Sequence, residues 1–174
     1  MSDARATGCA VRPARPADYP AIARLTVAAY AADGQLGGEH GYERVLADVA
    51  GRAAHGEVLA AVDGASGAIL GSVTYVRPGG PYAEVSRPGE GEFRMLAVDP
   101  AAQGRGVGEA LVQACLARAA AGGCTAVVIC ARSFSAPAHR LYARLGFVRA
   151  PELDWSPAPG VELVGLRLAL PAAP

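Results

Sequence analysis

The chain alternates between segments with a strand-like pattern of apolar residues and segments with a helical pattern. Runs of β-branched residues predict strands, and apolar residues that recur every three or four positions predict helices. The predicted strands are Cys9–Arg12, Val58–Val62, Ile69–Val76, Phe93–Val98, Ala126–Cys130, Phe147–Arg149 and Val161–Leu170. The predicted helices run from Arg15–Asp18 to Gly34, over Tyr42–Arg52, from Val107 to about Ala121, and over Ser135–Leu145. This alternation predicts an α/β fold in one domain over residues 1–174, without an internal repeat.

Two segments rich in proline are predicted to lack regular structure. Arg77–Gly91, which is also rich in glycine, is expected to be a mobile loop between two strands. The segment that contains Pro151, Pro157 and Pro159 is expected to be an irregular link before the last strand.

Composition and charge narrow the classes of function. The 16 basic and 16 acidic side chains give a net charge of +0, so neither nucleic acid nor an anionic membrane is an expected partner. No apolar run is long enough to cross a bilayer, and Met1 to Pro13 lacks the apolar core of a signal peptide. We therefore expect a cytoplasmic protein. The four cysteines form no CxxC pair and have no histidine at zinc-ligand spacing, so reduced thiols and no metal are predicted.

The most informative segment is a glycine-rich turn between a predicted strand and a predicted helix. It reads Gln103-Gly104-Arg105-Gly106-Val107-Gly108. Glycines let backbone N–H groups converge, and the first turn of a helix presents unpaired N–H groups and the positive end of its dipole. Such a turn is suited to binding phosphate oxygens.

Two common phosphate-binding motifs do not fit this turn. The dinucleotide pattern GxGxxG would need a glycine where the chain has Glu109, which disfavours a dinucleotide oxidoreductase. The Walker pattern would need a lysine followed by serine or threonine, and neither follows the turn. The spacing Gln103-x-x-Gly106-x-Gly108 remains.

Two stretches of sequence resemble the motifs of a known family. Phe93-Arg94-Met95-Leu96-Ala97-Val98-Asp99-Pro100, followed by the glycine turn, resembles motif A of the GCN5-related N-acetyltransferases, the GNAT family. Downstream, Leu141-Tyr142-Ala143-Arg144-Leu145-Gly146-Phe147 resembles the LYxxLGF ending of that family. The resemblance implies a mixed, mostly antiparallel sheet of six or seven strands, flanked by helices, in which two central strands splay apart around the cofactor.

The resemblance also implies acetyl-coenzyme A as cosubstrate and a set of cofactor-binding residues. The pyrophosphate of coenzyme A would rest on the turn formed by Gln103, Gly104, Arg105, Gly106, Val107 and Gly108. The pantetheine arm would pair with Leu96, Ala97 and Val98, with the amide of Ala97 or Val98 donating to the thioester carbonyl. Ser135 is a further candidate contact to the pantetheine arm, although it departs from the pattern, because many members have there an asparagine, whose side chain reaches further than that of serine.

The same resemblance suggests how the reaction would proceed. An amine would attack the thioester directly in a ternary complex. Tyr142 is the candidate acid that protonates the leaving thiolate, because a phenol with an ordinary pKa of about 10 is protonated at neutral pH. Glu92 is the candidate base, with Glu84 and Glu90 as substitutes.

The acceptor is the least determined part of this interpretation. A primary amine of a small molecule and a protein N-terminus both remain open, as does a non-catalytic acyl-coenzyme A sensor or interaction module on the same fold. Candidate residues around the acceptor are four tyrosines and two acidic side chains, Tyr30, Tyr42, Tyr75, Tyr82, Asp33 and Glu39. Trp155 is a candidate either to cover a face of the fold or to form a contact in a homodimer.

Overall fold

The computed structural model describes residues 8–37 and 41–172. Within these ranges the chain forms eight strands and five α-helices. The strands are β1 (Cys9–Pro13), β2 (Glu57–Asp63), β3 (Ile69–Val76), β4 (Glu90–Val98), β5 (Ala126–Arg132), β6 (Val148–Arg149), β7 (Trp155–Ala158) and β8 (Val161–Ala169). The helices are α1 (Tyr19–Ala32), α2 (Tyr42–Ala47), α3 (Val49–His55), α4 (Val107–Ala121) and α5 (Ala136–Arg144).

All eight strands belong to one mixed sheet, which confirms the predicted fold class. Its order is β1-β2-β3-β4-β5-β8-β6, and β7 pairs with β8 beside this path. Neighbouring strands are antiparallel except for β4 and β5, which run parallel. The sheet has one strand more than the expected maximum of seven, because β6 and β7 are short strands that both pair with β8.

The helices form one layer on each face of the sheet. α4 and α5 cover one face, where Val107 and Leu111 of α4 join a core with Val73 and Ile129 of the sheet. α1 and α3 cover the other face around a smaller core that includes Ile22. Each fully buried aliphatic side chain of this kind contributes about 1.5–3 kcal/mol to folding. Burial on both faces explains why the central strands read as nearly continuous apolar runs.

The parallel strands β4 and β5 pair only at their beginnings. Glu90, Gly91 and Glu92 are opposite Ala126–Val128, and no pairing follows along the remaining lengths of the two strands. β4 continues beside β3, which leaves its other edge open from about Phe93 onward. The two central strands therefore splay apart, as the resemblance implied.

β4 also carries a bulge within its open half. Ser72 is opposite Ala97 and Thr74 is opposite Arg94, so two residues of β3 span three of β4. Met95 lies inside this interval with a φ of 55°, which is uncommon for a residue other than glycine. Because of this extra residue, the side chains after the bulge point to the faces opposite to those that regular alternation would give them.

Two local predictions were wrong. The helix predicted over Tyr42–Arg52 is broken at Asp48, which has a ψ of 68° and caps α3 by accepting a 2.9 Å hydrogen bond from the N–H of Gly51. Part of the link predicted to be irregular is strand β7. It pairs with β8 at Trp155 and Ala158, so the intervening Pro157 need not donate a ladder hydrogen bond.

Candidate active site

Two cavities meet where β4 and β5 separate. One, of about 700 Å³, lies along the glycine turn and is called the cofactor groove. The other, of about 550 Å³, lies towards α2, the 77–89 loop and β7 and is called the acceptor cavity. The residues that line both are Tyr30, Gln35, Leu96, Ser135, Ala138 and Tyr142. Ligands bound in the two cavities would therefore be adjacent to each other beside these side chains.

The glycine turn leads directly into α4. Gly106 is the N-cap of this helix with a φ of 78°, and no side chain caps the first turn. The amides of Val107 and Gly108 therefore face the groove without a capping acceptor. Gly104 also has a φ of 78°, and an added Cβ would meet open space rather than protein atoms. This geometry fits a bound pyrophosphate.

Gly108 has a packing reason to be glycine. A Cβ at this position would lie 3.3 Å from Leu141 of α5 and 3.6 Å from Val98 of β4. The absence of a side chain thus lets α4, α5 and β4 approach one another closely beside the groove.

The open edge of β4 provides backbone donors between the cavities. The N–H of Asp99 donates to Leu70 of β3 at 2.8 Å. Successive amides of a strand point to opposite sides, so the N–H groups of Val98 and Leu96 point away from β3 towards the open edge. Both residues line the cofactor groove, as does Ala97. The N–H of Ala97, however, points to β3, so of the two predicted thioester donors only Val98 is at the open edge. A pantetheine arm can pair with this edge as an added strand would.

Tyr142 is held at the junction of the two cavities. Its ring packs against Phe93 and Phe147, with centroid distances of 6.0 and 5.6 Å, and the residue is 6% exposed. Its hydroxyl makes no hydrogen bond to any residue that the structure describes, although Tyr142 lines both cavities. Burial raises the pKa of the phenol above its ordinary value, so it remains protonated at neutral pH.

Ser135 is buried at the start of α5, where it faces α1. Its hydroxyl donates a 2.8 Å hydrogen bond to Oδ2 of Asp33, which also accepts from Gln35 at 2.6 Å. Ser135, Asp33 and Gln35 all line the cofactor groove, and Asp33 does not line the acceptor cavity, where it was predicted. The hydroxyl proton of Ser135 is therefore engaged, while Oδ1 of Asp33 has no partner among the described residues.

Arg105, the arginine of the glycine turn, does not point into the cofactor groove. The Nη2 atom of Arg105 lies 3.7 Å from the carboxylate of Asp63 at the end of β2, and Arg105 is not among the described residues that line the groove. A phosphate contact from Arg105 remains a prediction. The positive charges that do line the groove are Arg140 and Arg144 of α5, which are exposed.

Glu92 lies in the wall of the acceptor cavity and is only 1% exposed. Its carboxylate accepts hydrogen bonds from the backbone N–H groups of Glu84 (3.1 Å), Val85 (3.4 Å) and Ser86 (3.2 Å). These bonds tie the 77–89 loop to β4. The substitute Glu90 is also engaged, because it accepts from the N–H of Arg87 and forms an ion pair with Arg167.

Glu84 is brought to the acceptor cavity by the loop that Glu92 holds. Its carboxylate forms an ion pair with Nε of Arg94, and both residues line the cavity. Burial raises the pKa of Glu84, Arg94 opposes this shift, and the neighbouring Glu92 adds to it. A carboxyl group with a raised pKa in a cavity is typical of a proton-transfer site.

The predicted tyrosines divide into two groups. Tyr30 and Tyr42 line the acceptor cavity, with their ring centroids 6.1 Å apart, and burial raises both pKa values. Tyr75 belongs to the core on the α4 face, so its predicted place in the acceptor site was wrong. Tyr82 stacks near His55, outside the lining of the acceptor cavity. Glu39 lies outside the described residues.

Comparison with known proteins identifies the family. A model of the acetyltransferase (GNAT) family matches residues 22–147. This range includes the splayed strands, the glycine turn and Tyr142. The chain belongs to the GNAT family.

Individual relatives of this GNAT chain are distant. It is 38% identical over 99 residues to a mycothiol acetyltransferase of Nocardioides sp., an alignment that covers 53% of this chain and 32% of that protein. The chain therefore spans about a third of that relative's length. It is also similar to a solved structure from Corynebacterium glutamicum described as histone acetyltransferase HPA2 and related acetyltransferase, with 28% identity, a TM-score of 0.71, and coverage of 96% and 98% of the two chains.

A further solved structure shows the same fold with its cofactor. YncA of Salmonella typhimurium, solved with acetyl-CoA, has a TM-score of 0.65, with 23% identity over 94% of this chain and 95% of that one. A GNAT family acetyltransferase from Brucella melitensis, solved in complex with acetyl-CoA, also has this fold, with a TM-score of 0.62 and 23% identity over 95% of this chain and 91% of that one.

Several residues that line the two cavities were not predicted from the sequence. The spacing of Arg140 and Arg144 places both on one face of α5 and could have indicated a positive edge of the groove. Arg132 and Arg94 line the acceptor cavity, but no local pattern marks either of them. In the part of the chain that the structure describes, no cluster of three or more His, Cys, Asp or Glu side chains is arranged to hold a metal ion. No helix there has the length and apolarity needed to span a membrane.

Proposed function

We propose that this chain is an N-acetyltransferase that transfers the acetyl group of acetyl-CoA to a primary amine, by direct attack in a ternary complex. The observation that carries the proposal is the meeting of the two cavities at Leu96 and Tyr142. An acyl donor in the groove and an amine in the acceptor cavity would be adjacent at this point. Proximity of this kind removes much of the entropic barrier to a two-substrate reaction.

Bound acetyl-CoA supplies an activated acyl group and a thiolate leaving group. In the proposed site the amides around Gly106–Gly108 hold the pyrophosphate, and Arg140 and Arg144 add positive charge beside it. The backbone N–H groups of Leu96 and Val98, at the open edge of β4, would be the donors to a thioester carbonyl. Fixed donors there stabilise the negative charge that develops on its oxygen.

Proton transfer in the proposed site uses two side chains. Tyr142 holds the proton that a departing thiolate requires, because its phenol is buried and stays protonated. Glu84 accepts the proton that the amine must lose, either directly or through water. Glu92 was the first candidate for this second role. Its three backbone hydrogen bonds favour a part in shaping the cavity, and Glu84 is the more available carboxylate.

The size of the acceptor cavity favours a small molecule over a protein N-terminus. Its volume of about 550 Å³ lies within the range of roughly 300–1,000 Å³ that is typical of small-molecule sites. Side chains from α1, α2, β4, β5 and β7 and from the 77–89 loop surround it.

The test is release of free thiol from acetyl-CoA in the presence of a panel of small primary amines and a short peptide with a free N-terminus. Turnover with a small amine, confirmed by the mass of the acetylated product, supports the proposal. Turnover with the peptide alone would assign a protein acceptor. Tight acetyl-CoA binding without turnover on any amine would favour the non-catalytic sensor.

A further inference from the structure

Arg132 lies in the acceptor cavity without a protein partner for its charge. It is the last residue of β5 and lines the cavity. Its guanidinium donates no hydrogen bond to any described residue, and its Nε atom is buried. By contrast Arg94, in the same cavity, forms an ion pair with Glu84 and donates to the carbonyl of Tyr82 at 3.1 Å.

The guanidinium of Arg132 is nevertheless held in place. Its Cζ atom lies 4.8 Å from the centroid of the Phe134 ring, which is the geometry of a cation–π contact. At its base, the backbone carbonyl of Arg132 lies 3.0 Å from Nε2 of His139 on α5. Contacts at the backbone carbonyl and at the guanidinium thus fix Arg132, although no carboxylate of the described residues neutralises its charge.

The Nε atom of Arg132 is closed to solvent, so a ligand would bind through its two terminal Nη groups, which have no protein partner among the described residues. The three carboxylates that line the acceptor cavity do not neutralise Arg132, because Glu84 pairs with Arg94, Glu92 holds the 77–89 loop, and Glu43 forms no ion pair with Arg132. A planar guanidinium fork is complementary to a carboxylate, which it binds through two parallel hydrogen bonds.

We infer that Arg132 binds a carboxylate of the acceptor, so that the substrate class is an amine that also carries a carboxylate, as an amino acid does. This inference rests on the proposed function, because it assigns the acceptor of the same reaction. The amine would lie towards Glu84 and Tyr142, and the carboxylate towards Arg132 at the end of β5. An acceptor in this orientation would have its amine near the acidic Glu84 and its carboxylate near the basic Arg132.

The first test compares matched acceptors in the thiol-release assay. Each set contains a free amino acid, its carboxamide and the amine left after removal of the carboxyl group. We expect kcat/KM for at least one amino acid to exceed that of its carboxamide by tenfold or more. Equal rates across each set would overturn the inference and leave the proposed N-acetyltransferase intact.

The second test uses variants of Arg132. In R132M the preference for the amino acid should fall below twofold, through a higher KM for the amino acid, while the rate with the decarboxylated amine is retained. R132K keeps the charge without the fork and should recover part of the preference. R24Q, at an exposed arginine on α1 that lines neither cavity, is the matched control and should keep the full preference. Retention of the preference in R132M would overturn the inference.

A binding measurement separates this inference from the function on which it rests. Calorimetry with N-acetylated amino acids and N-acetylated amino acid amides needs no turnover. Tighter binding of the acids to the wild type, lost in R132M, would support the carboxylate site even if no amine were acetylated. If acids and amides bound equally, there would be no such site, whatever the catalytic result. Thermal melting of each variant confirms that it is folded.

Discussion

The hydroxyl of Ser135 lies 2.8 Å from Oδ2 of Asp33 and donates a hydrogen bond to it. Ser135 begins α5 on one face of the sheet, whereas Asp33 ends α1 on the other. The bond therefore joins the two helical layers across the gap that the splayed strands leave. It also lies where the cofactor groove meets the acceptor cavity.

Removal of this hydrogen bond should weaken the contact between the start of α5 and the end of α1. In S135A, Asp33 loses one of two donors, and we expect the free energy of unfolding to fall by about 1–3 kcal/mol. We also expect a several-fold loss of coenzyme A affinity. Chemical denaturation and calorimetry measure the two effects. S133A, at an exposed serine two residues earlier, is the control and should leave both unchanged. Wild-type affinity and stability in S135A would show that the bond has no structural role.

A side chain at Gly106 should disrupt the phosphate site. The φ of 78° at this N-cap disfavours any β-branched residue, so G106V would have to move the first turn of α4. We expect coenzyme A affinity to fall at least tenfold. G67V provides a matched control, because Gly67 has a φ of 73° in the β2–β3 turn and lies away from both cavities. Comparable losses of affinity in both variants would indicate general strain rather than a phosphate cradle.

Replacement of Tyr142 by phenylalanine should affect turnover far more than binding. The ring contacts with Phe93 and Phe147 survive, while the donated proton is lost. We expect kcat to fall by about a hundredfold or more and coenzyme A affinity to change less than twofold. Y75F changes a buried tyrosine outside both cavities and should keep kcat. An unaltered kcat in Y142F would remove Tyr142 from the role of acid.

Glu84 and Glu92 should respond differently to replacement by glutamine. E92Q places an amide group against three backbone donors, so we expect unfolding to become easier by about 1.5–3 kcal/mol. E84Q should lower kcat by about a hundredfold with little effect on stability. Thermal melting and steady-state kinetics, measured on both variants, separate the two roles. The opposite result, a stable but inactive E92Q beside an active E84Q, would restore Glu92 as the base.

The dependence of the rate on pH should identify Glu84. A base acts only when deprotonated, so kcat/KM should fall as the pH drops through the raised pKa of Glu84. Arg94 holds that pKa down, and its replacement in R94M should move the acidic limb to higher pH. The limb should disappear in E84Q. Identical acidic limbs in the wild type and both variants would assign the proton to another group.

The sequence predicted the cofactor side of the site better than the acceptor side. The glycine turn, the strand before it and Tyr142 are contiguous motifs, and a short segment of chain can determine a strand, a turn and a helix start. Arg94 and Glu84 come together only because the 77–89 loop folds back onto β4. Ser135 and Asp33 are 102 residues apart in sequence. Contacts of this kind depend on tertiary packing, which no local pattern records.

The fold was predictable for a similar reason, with two exceptions that have identifiable causes. Apolar periodicity marked the long strands and helices, because burial determines it. β7 was missed because its prolines disfavour a strand, yet it forms only an edge pairing. The break at Asp48 was missed because Val45, Leu46 and Val49 continue a helical apolar pattern across a capping aspartate.

The bulge at Met95 determines which face of the sheet each side chain in the second half of β4 occupies. Phe93 packs towards α4 before the bulge, and Leu96 and Val98 do so after it, although an unbroken strand would send odd- and even-numbered positions to opposite faces. Removal of Met95 itself would restore regular alternation and leave these faces unchanged, whereas loss of another residue with the bulge retained would turn the cofactor-binding half of the strand to the opposite faces of the sheet. Apart from the bulge residue, the segment from Glu92 to Val98 therefore has a fixed frame, and single-residue insertions and deletions are better accommodated at the exposed turns outside it.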